Sequence, residues 1–327
     1  MQTGANEFMS ENTMQRRPFG NTGMHVSPLT FGAWSIGGPA KLGDLPIGWS
    51  GVNDADSKRA VAAALDAGIN VFDTADKYAE GHSERLLGEV LAQRRDEVVL
   101  VTKTGIVGAD DKGIVVDFSP ERIREACAAS LRRLATDRID IYLMHLVTDR
   151  TFPGDDTRGA LEQLRGEGKI RAYGISVQFP RQGSRQLHEG FGEAMMLEYN
   201  PFKRGDAEAV LDAAHEKGVG VITRGALEKG LLSGKYAVGH EFDADDVRSR
   251  IPPGVRDGIL EKVSRLQREF GFDRAALLGL ALGFPLRHPG CSTVAAGMKT
   301  DAQVRELVEA LRAEVPRAEE ALELLAV

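Results

Sequence analysis

Residues 119–145 read SPERIREACAASLRRLATDRIDIYLMH, a helix followed within a few residues by an apolar strand. Ser119 is suited to cap the helix and Pro120 to open it, and Ile123, Cys127, Leu131 and Leu134 share one helical face. The strand IDIYLMH then runs apolar until it closes on His145. Outward from this unit the alternation continues in both directions. NDADSKRAVAAALDAGIN (53–70) and GDAEAVLDAAHEKGVGV (205–221) each begin near an Asp and finish at a glycine, Gly68 or Gly218, able to take the left-handed conformation that ends a helix. Apolar strands are expected at 29–32, 69–73, 98–103, 139–145, 170–176, 195–198, 219–223 and 293–296. That is eight, the number that closes a (β/α)8 TIM barrel, an α/β fold of parallel strands joined by crossover helices.

No Pro/Ser-rich linker or shift in composition interrupts the alternation, so residues 17–327 are expected to form one domain. The polar residues 1–16 are expected to be frayed and disordered. RRPFGNTGMHVSPLTFG (16–32), with a turn at 21–23, is expected to form an N-terminal hairpin across the bottom of the barrel. The segment 234–253, polar and punctuated by Gly and Pro, is a long loop after strand 7. On that side of a barrel such a loop is either a lid over the mouth or a disordered excursion.

Composition narrows the function. Forty-one Lys and Arg against 48 Asp and Glu leave a net charge of −7, which provides no basic field for nucleic acid or an anionic membrane. With 42% apolar and 27% charged residues the chain has material for a core. The longest apolar run, 275–284, is about half the length of a membrane span. The N-terminus carries no secretory pattern, and the expected location is cytoplasmic. Two cysteines and seven scattered histidines offer neither a disulfide framework nor a metal site. The dinucleotide fingerprint G-x-G-x-x-G is absent. GLLSGKY is one residue too short between its glycines for a phosphate loop, and GISVQ and GHSER both miss the nucleophile-elbow pattern.

What remains lies at the expected strand ends. The second strand closes on Asp73, with Tyr78 in the loop that follows, the third on Lys103 and the fourth on His145. Each alone has an ordinary structural explanation. Together at one barrel mouth they form a unit, because strand C-termini converge there. An ammonium beside a phenol favours phenolate, so Lys103 is expected to lower the pKa of Tyr78 and make it a proton donor, with Asp73 holding the ammonium and His145 orienting a carbonyl oxygen. Nothing in the chain supplies electrons, so a hydride donor must be bound.

GINVFDTADKYAEGHSERLLGEVL (68–91), VVLVTKTG (98–105), RIDIYLMHL (138–146), KIRAYGIS (169–176) and LEYNPF (197–202) resemble, in order and spacing, the landmarks of the aldo-keto reductases, over about residues 17–312. The resemblance implies a (β/α)8 barrel that binds NADPH without a Rossmann fold. It implies a catalytic tetrad of Asp73, Tyr78, Lys103 and His145 acting on a small-molecule carbonyl substrate. By the same motif match Ser176 contacts the nicotinamide carboxamide and Arg224 packs on the ring. Ala226, Leu227 and Gly230 follow the pyrophosphate, and Gly297, Lys299, Gln303 and Glu306 hold the adenosine end. The positive charge of Lys299 favours NADPH, with NADH left open. Three positions depart from the family pattern: Val177 for Asn, Met196 for the Gln at the carboxamide, and Leu307 for the Asn beside the adenine. An NADPH-dependent reduction of an aldehyde or ketone is the leading expectation. A non-redox lyase or isomerase, or a nucleotide sensor, on the same barrel is the alternative that the thinned contacts suggest. The strand-end loops are rich in Gly and Asp, which suits a sugar or another hydroxylated substrate, with Trp34 and Trp49 to stack on it.

Overall fold

The computed structural model describes residues 9, 10, 13–111 and 113–326. Its centre is a closed barrel of eight strands: β1 Leu29–Gly32, β2 Val71–Asp73, β3 Val99–Thr104, β4 Ile139–Val147, β5 Ile170–Val177, β6 Ala194–Glu198, β7 Gly220–Arg224 and β8 Thr293–Gly297. Each strand pairs in parallel with the next in sequence, and β8 returns to β1. All eight expected strands are present, with ends moved by at most a few residues. The register sets the rim: Gly297 pairs with Gly32, Gly32 with Asp73, and Leu143 with Lys103, so the strand C-termini open on one mouth.

The connecting helices are α1 Asp54–Asp66, α2 His82–Leu91, α3 Pro120–Arg133, α4 Asp155–Gly166, α5 Pro180–Glu189, α6 Asp206–Lys217, α7 Pro253–Phe270, α8 Arg274–Leu286, α9 Asp301–Arg312 and α10 Ala318–Ala326. In α3 the Ser119 hydroxyl accepts the Arg122 N–H at 3.4 Å with Pro120 at the first position, and Ile123 and Cys127 are fully buried. A capped start and an apolar stripe are what make this segment a helix packed on the sheet. One apolar cluster fills the space between strands and helices. A second, including Val101, Ile141, Leu143, Met196 and Ile222, fills the barrel interior.

The bottom of the interior is closed by the expected hairpin, where Arg17–Pro18 pairs antiparallel with His25–Val26. Phe19 at its turn is fully buried and belongs to the interior cluster. Side chains are excluded at Gly220, where an added Cβ would lie 2.4 Å from the Phe19 ring. Ahead of it Met9–Ser10 pairs with Thr13–Met14, and Met14 is buried in the outer cluster. The rest of the segment expected to be frayed, residues 1–8, 11 and 12, lies outside the described residues.

The long segment after β7 is placed against the mouth. It begins with a 3-10 turn, Glu228–Ser233, and includes another, Val247–Arg250, before α7. Its Asp246 is fully buried and accepts from the Ser50 N–H and hydroxyl at 3.4 and 3.2 Å, while the Val247 N–H donates to Gly48 O at 3.0 Å. The loop is therefore tied to the loop after β1.

Candidate active site

Asp73, Lys103 and His145 sit on β2, β3 and β4, and Tyr78 on the loop leaving β2. The Lys103 ammonium, wholly buried, donates to Asp73 Oδ1 at 2.6 Å, to Thr74 O at 2.7 Å and to the Tyr78 hydroxyl at 3.3 Å. His145 stands edge-on to Tyr78, with ring centroids 5.8 Å apart and planes at 78°. The four side chains expected to act together are thus one contact network.

Its electrostatics differ from expectation at Tyr78. Burial raises the phenol above its usual range, and Asp73 adds to the rise, which together outweigh the lowering by Lys103. Sequence reasoning counted the ammonium but not the cost of burying phenolate. Burial disfavours the Lys103 ammonium, yet the attraction of Asp73 and Tyr78 prevails and its pKa is raised. For Asp73 burial is the larger effect and raises the carboxyl. His145 is held well below its ordinary value by burial and by the charges of Lys103 and Arg224, so its imidazole is neutral. A neutral phenol and a neutral imidazole can both donate to one oxygen, and the His145 Nδ1 has no partner among the described residues.

From this network a groove of about 510 Å³ runs across the mouth toward the start of α9. Asp73, Tyr78, Trp34, Met196 and Arg224 line one stretch. Ala226, Leu227, Gly230, Trp49, Gly297 and Lys299 line the next, with Gln303, Glu306 and Leu307 beyond. Lys103 is enclosed behind Tyr78, and Ser176 is buried on β5 in register with Met196. The backbone turns from right-handed at Leu227 (φ −88°) to left-handed at Glu228 and Lys229 (φ 45° and 55°). Two side-chain-bearing residues in that region are strained, and the Glu228 and Gly230 N–H groups donate within the turn to Gly225 O and Leu227 O, both at 2.8 Å.

Several expected contacts have further detail. Arg224 is fixed by Glu198 at 3.1 Å and by donation to Val177 O at 3.2 Å. Lys299 reaches Ser50 O at 2.7 Å and lies 5.2 Å over the Trp49 ring; burial, with Arg248 and Lys235, depresses it to about 8, against the pull of Asp246. Gln303 accepts the Lys299 N–H at 2.7 Å, and Glu306 is bound by both arms of Arg274. Trp34 stacks on Tyr78 at 6.0 Å, whereas Trp49 meets Trp34 edge-on and lies beneath the Arg248 and Lys299 cations. Arg248, Arg274 and Tyr236 also line the groove and were not foreseen. No local motif marks them: Arg248 bonds Tyr236 and Asp246 within one loop, but the place of that loop at the mouth is set by distant ties such as Ser50 to Asp246, as Arg274 is set by Glu306.

The groove fits an extended dinucleotide, with a left-handed turn and a group of cations along one end and a proton-donating network at the other. Residues 28–322 match the Aldo/keto reductase family. The NADH-specific methylglyoxal reductase of Escherichia coli is 31% identical over 91% of this chain and 94% of its own. The aldo-keto reductase AKR11C1 from Bacillus halodurans, in its holo form, superposes with a TM-score of 0.77 at 32% identity, covering 96% and 97% of the two chains. The glycerol dehydrogenase AKR11B4 from Gluconobacter oxydans gives 0.75 at 28% identity, covering 97% and 95%. Sequence, fold and the side chains at the mouth agree: the chain belongs to the aldo/keto reductase family and is an NAD(P)H-dependent oxidoreductase.

Proposed function

We propose that the enzyme reduces a small, hydroxylated aldehyde or ketone to the alcohol, with NADPH favoured over NADH and Tyr78 as the general acid. The observation that carries this reading is the Tyr78 hydroxyl, protonated by its surroundings and 3.3 Å from a buried ammonium at the head of the groove. Bound cofactor supplies the hydride. The substrate oxygen accepts hydrogen bonds from Tyr78 and from the neutral His145 imidazole, which polarise the carbonyl. As charge develops on that oxygen Tyr78 gives up its proton, and Lys103, kept charged by Asp73, stabilises the phenolate left behind. The same groups run the reaction backward when an alcohol is oxidised.

NADPH is favoured because Lys299, Arg248 and Lys235 put positive charge on the adenosine side of the groove, where a 2′-phosphate would sit. A polar substrate is favoured by Asp73, Glu198 and Arg224, which line the groove near Tyr78. Two relatives are named for methylglyoxal reduction and glycerol dehydrogenation, both small and oxygenated. Trp34, stacked beside Tyr78, supplies the flat apolar wall. Partners are therefore expected to be small molecules rather than nucleic acid or membrane, in the cytoplasm. Among the described residues no helix is long and apolar enough to cross a membrane.

The test is consumption of NADPH and NADH in turn with a panel of 2-oxoaldehydes, hydroxyaldehydes, hexoses and aromatic aldehydes. Expected are turnover with NADPH, highest on hydroxylated or dicarbonyl substrates, and its loss in Tyr78→Phe. Unchanged turnover in the Phe variant removes Tyr78 as the acid, and faster turnover of aromatic aldehydes removes the polar-substrate assignment.

A further inference from the structure

The loop that carries Tyr78 is fastened to the strand that carries Lys103. The Thr74 N–H donates to Val101 O at 2.8 Å and the Asp76 N–H to Lys103 O at 3.0 Å. The Thr104 hydroxyl then donates to Asp76 Oδ2 at 3.0 Å. This last tie joins the residue after Lys103 to the residue two before Tyr78, and the 3.3 Å contact between the tetrad partners spans the same two segments.

Asp76 is only 7% exposed, and its second oxygen has no partner among the described residues. The Arg122 guanidinium stands at 3.7 Å, beyond direct hydrogen bonding. Burial, with help from Glu84, pushes the carboxyl up to about 6 against the Thr104 hydroxyl and the cations Arg122 and Arg133. The groups facing it are thus Glu84 on α2, Arg122 and Arg133 on α3, Thr104 on β3, Tyr142 on β4 and Lys77 on its own loop. A cleft of about 540 Å³ between α3 and the 76–80 loop leads to it, lined among others by Arg122, Glu125, Ala129 and Arg132. A carboxylate kept buried and half-satisfied next to a catalytic pair costs stability that an apolar residue would not.

We propose that Asp76 is a positioning residue for the reduction: held by Thr104, its carboxyl group fixes the Tyr78 hydroxyl within reach of Lys103. The inference rests on Tyr78 being the acid. Burial favours the neutral carboxyl, so protonation of Asp76 does not loosen the loop, and a carbonyl oxygen remains for Thr104.

The experiment compares wild type with Asp76→Asn, Asp76→Ala and Thr104→Val, on a carbonyl substrate turned over by the wild type, across about pH 5 to 8. Wild-type kcat should hold as pH drops through about 6, since protonated Asp76 keeps a carbonyl oxygen for Thr104. Asp76→Asn, whose amide oxygen likewise accepts from Thr104, should keep more turnover than Asp76→Ala. Asp76→Ala and Thr104→Val should lose roughly ten- to a hundredfold in kcat, with KM and NADPH binding moved far less. Urea resistance at neutral pH should rise in Asp76→Asn, opposite to the loss expected of a residue kept for packing. A crystal structure of Asp76→Ala, which needs no activity, should show the Tyr78–Lys103 contact opened beyond its 3.3 Å. An unopened contact, or wild-type kcat in Asp76→Ala, overturns the proposal, as does a kcat in Asp76→Asn no higher than in Asp76→Ala. If the wild type turns over no carbonyl while the contact still opens, it is the reductase reading that falls and the positioning that stands.

Discussion

The two ends of the barrel treat buried charge in opposite ways. At the bottom, Asp140 on β4 accepts from Arg95 at 2.7 Å, Arg171 at 2.9 Å and the Leu100 N–H at 2.9 Å. Beside β2, Asn70 accepts the Ser27 N–H at 2.7 Å and donates to His25 O at 2.9 Å. At the mouth, by contrast, His145 Nδ1, Trp49 Nε1 and Asp76 Oδ1 are buried without partners among the described residues. At the bottom the buried charge of Asp140 is met by the protein itself, although Gln186 Oε1 and Glu193 Oε2, by the start of β6, have no partner among the described residues. The mouth is left incomplete, and incompleteness there marks where substrate, cofactor or solvent must supply the missing contacts.

The largest expected effect tests the bottom. Asp140→Asn leaves Arg95, whose side chain is only 10% exposed, without its counter-charge, and should cost about 3–5 kcal/mol in urea unfolding with kcat of the folded enzyme unchanged. Comparable loss of kcat would mean that the two ends are not separable. Next comes His145→Ala, expected to lower kcat roughly 100- to 1000-fold by removing one donor to the developing oxyanion, while the urea midpoint moves far less than in Asp140→Asn.

A pH series sharpens the contrast further. Burial depresses the His145 pKa in the folded state, so the unfolded chain takes up the proton first. The stability associated with this group is present above about pH 6.5 and is lost as pH falls below it, by at most about 1.4 kcal/mol per pH unit. Urea midpoints between about pH 7 and 5 should show a shallower acid decline in His145→Ala. An equal slope would assign that decline elsewhere. The smallest effect belongs to the adenosine end, where Lys299→Ala should raise the NADPH dissociation constant about tenfold, read by fluorescence quenching, with NADH binding moved little. Equal weakening of both cofactors would take Lys299 away from the 2′-phosphate.

Much of this architecture is legible in the sequence because it is periodic or punctuated. Gly218 ends α6 in the left-handed conformation expected of it, and the run 139–145 lies within β4. The tetrad is legible because its members close strands or follow one closely, and parallel strands bring their ends together whatever the intervening helices do. What escapes is everything set by long-range packing. Asp76 lies in full view between Asp73 and Tyr78, but nothing local says that it is buried against Thr104 and faces a cleft under α3. The rise in the Tyr78 pKa escapes for the same reason, since a sequence names the neighbouring charge but not the water that folding removes. The pairing of Arg274 with Glu306 joins residues 32 apart, and that of Ser50 with Asp246 joins residues 196 apart.

That last pairing has a kinetic consequence. Ser50 and Arg248 both line the groove, and Ser50–Asp246, Gly48–Val247 and Ser50–Lys299 tie the loops after β1, β7 and β8 to one another. If a long ligand departs only after these ties open, a first turnover faster than those that follow is the behaviour to expect.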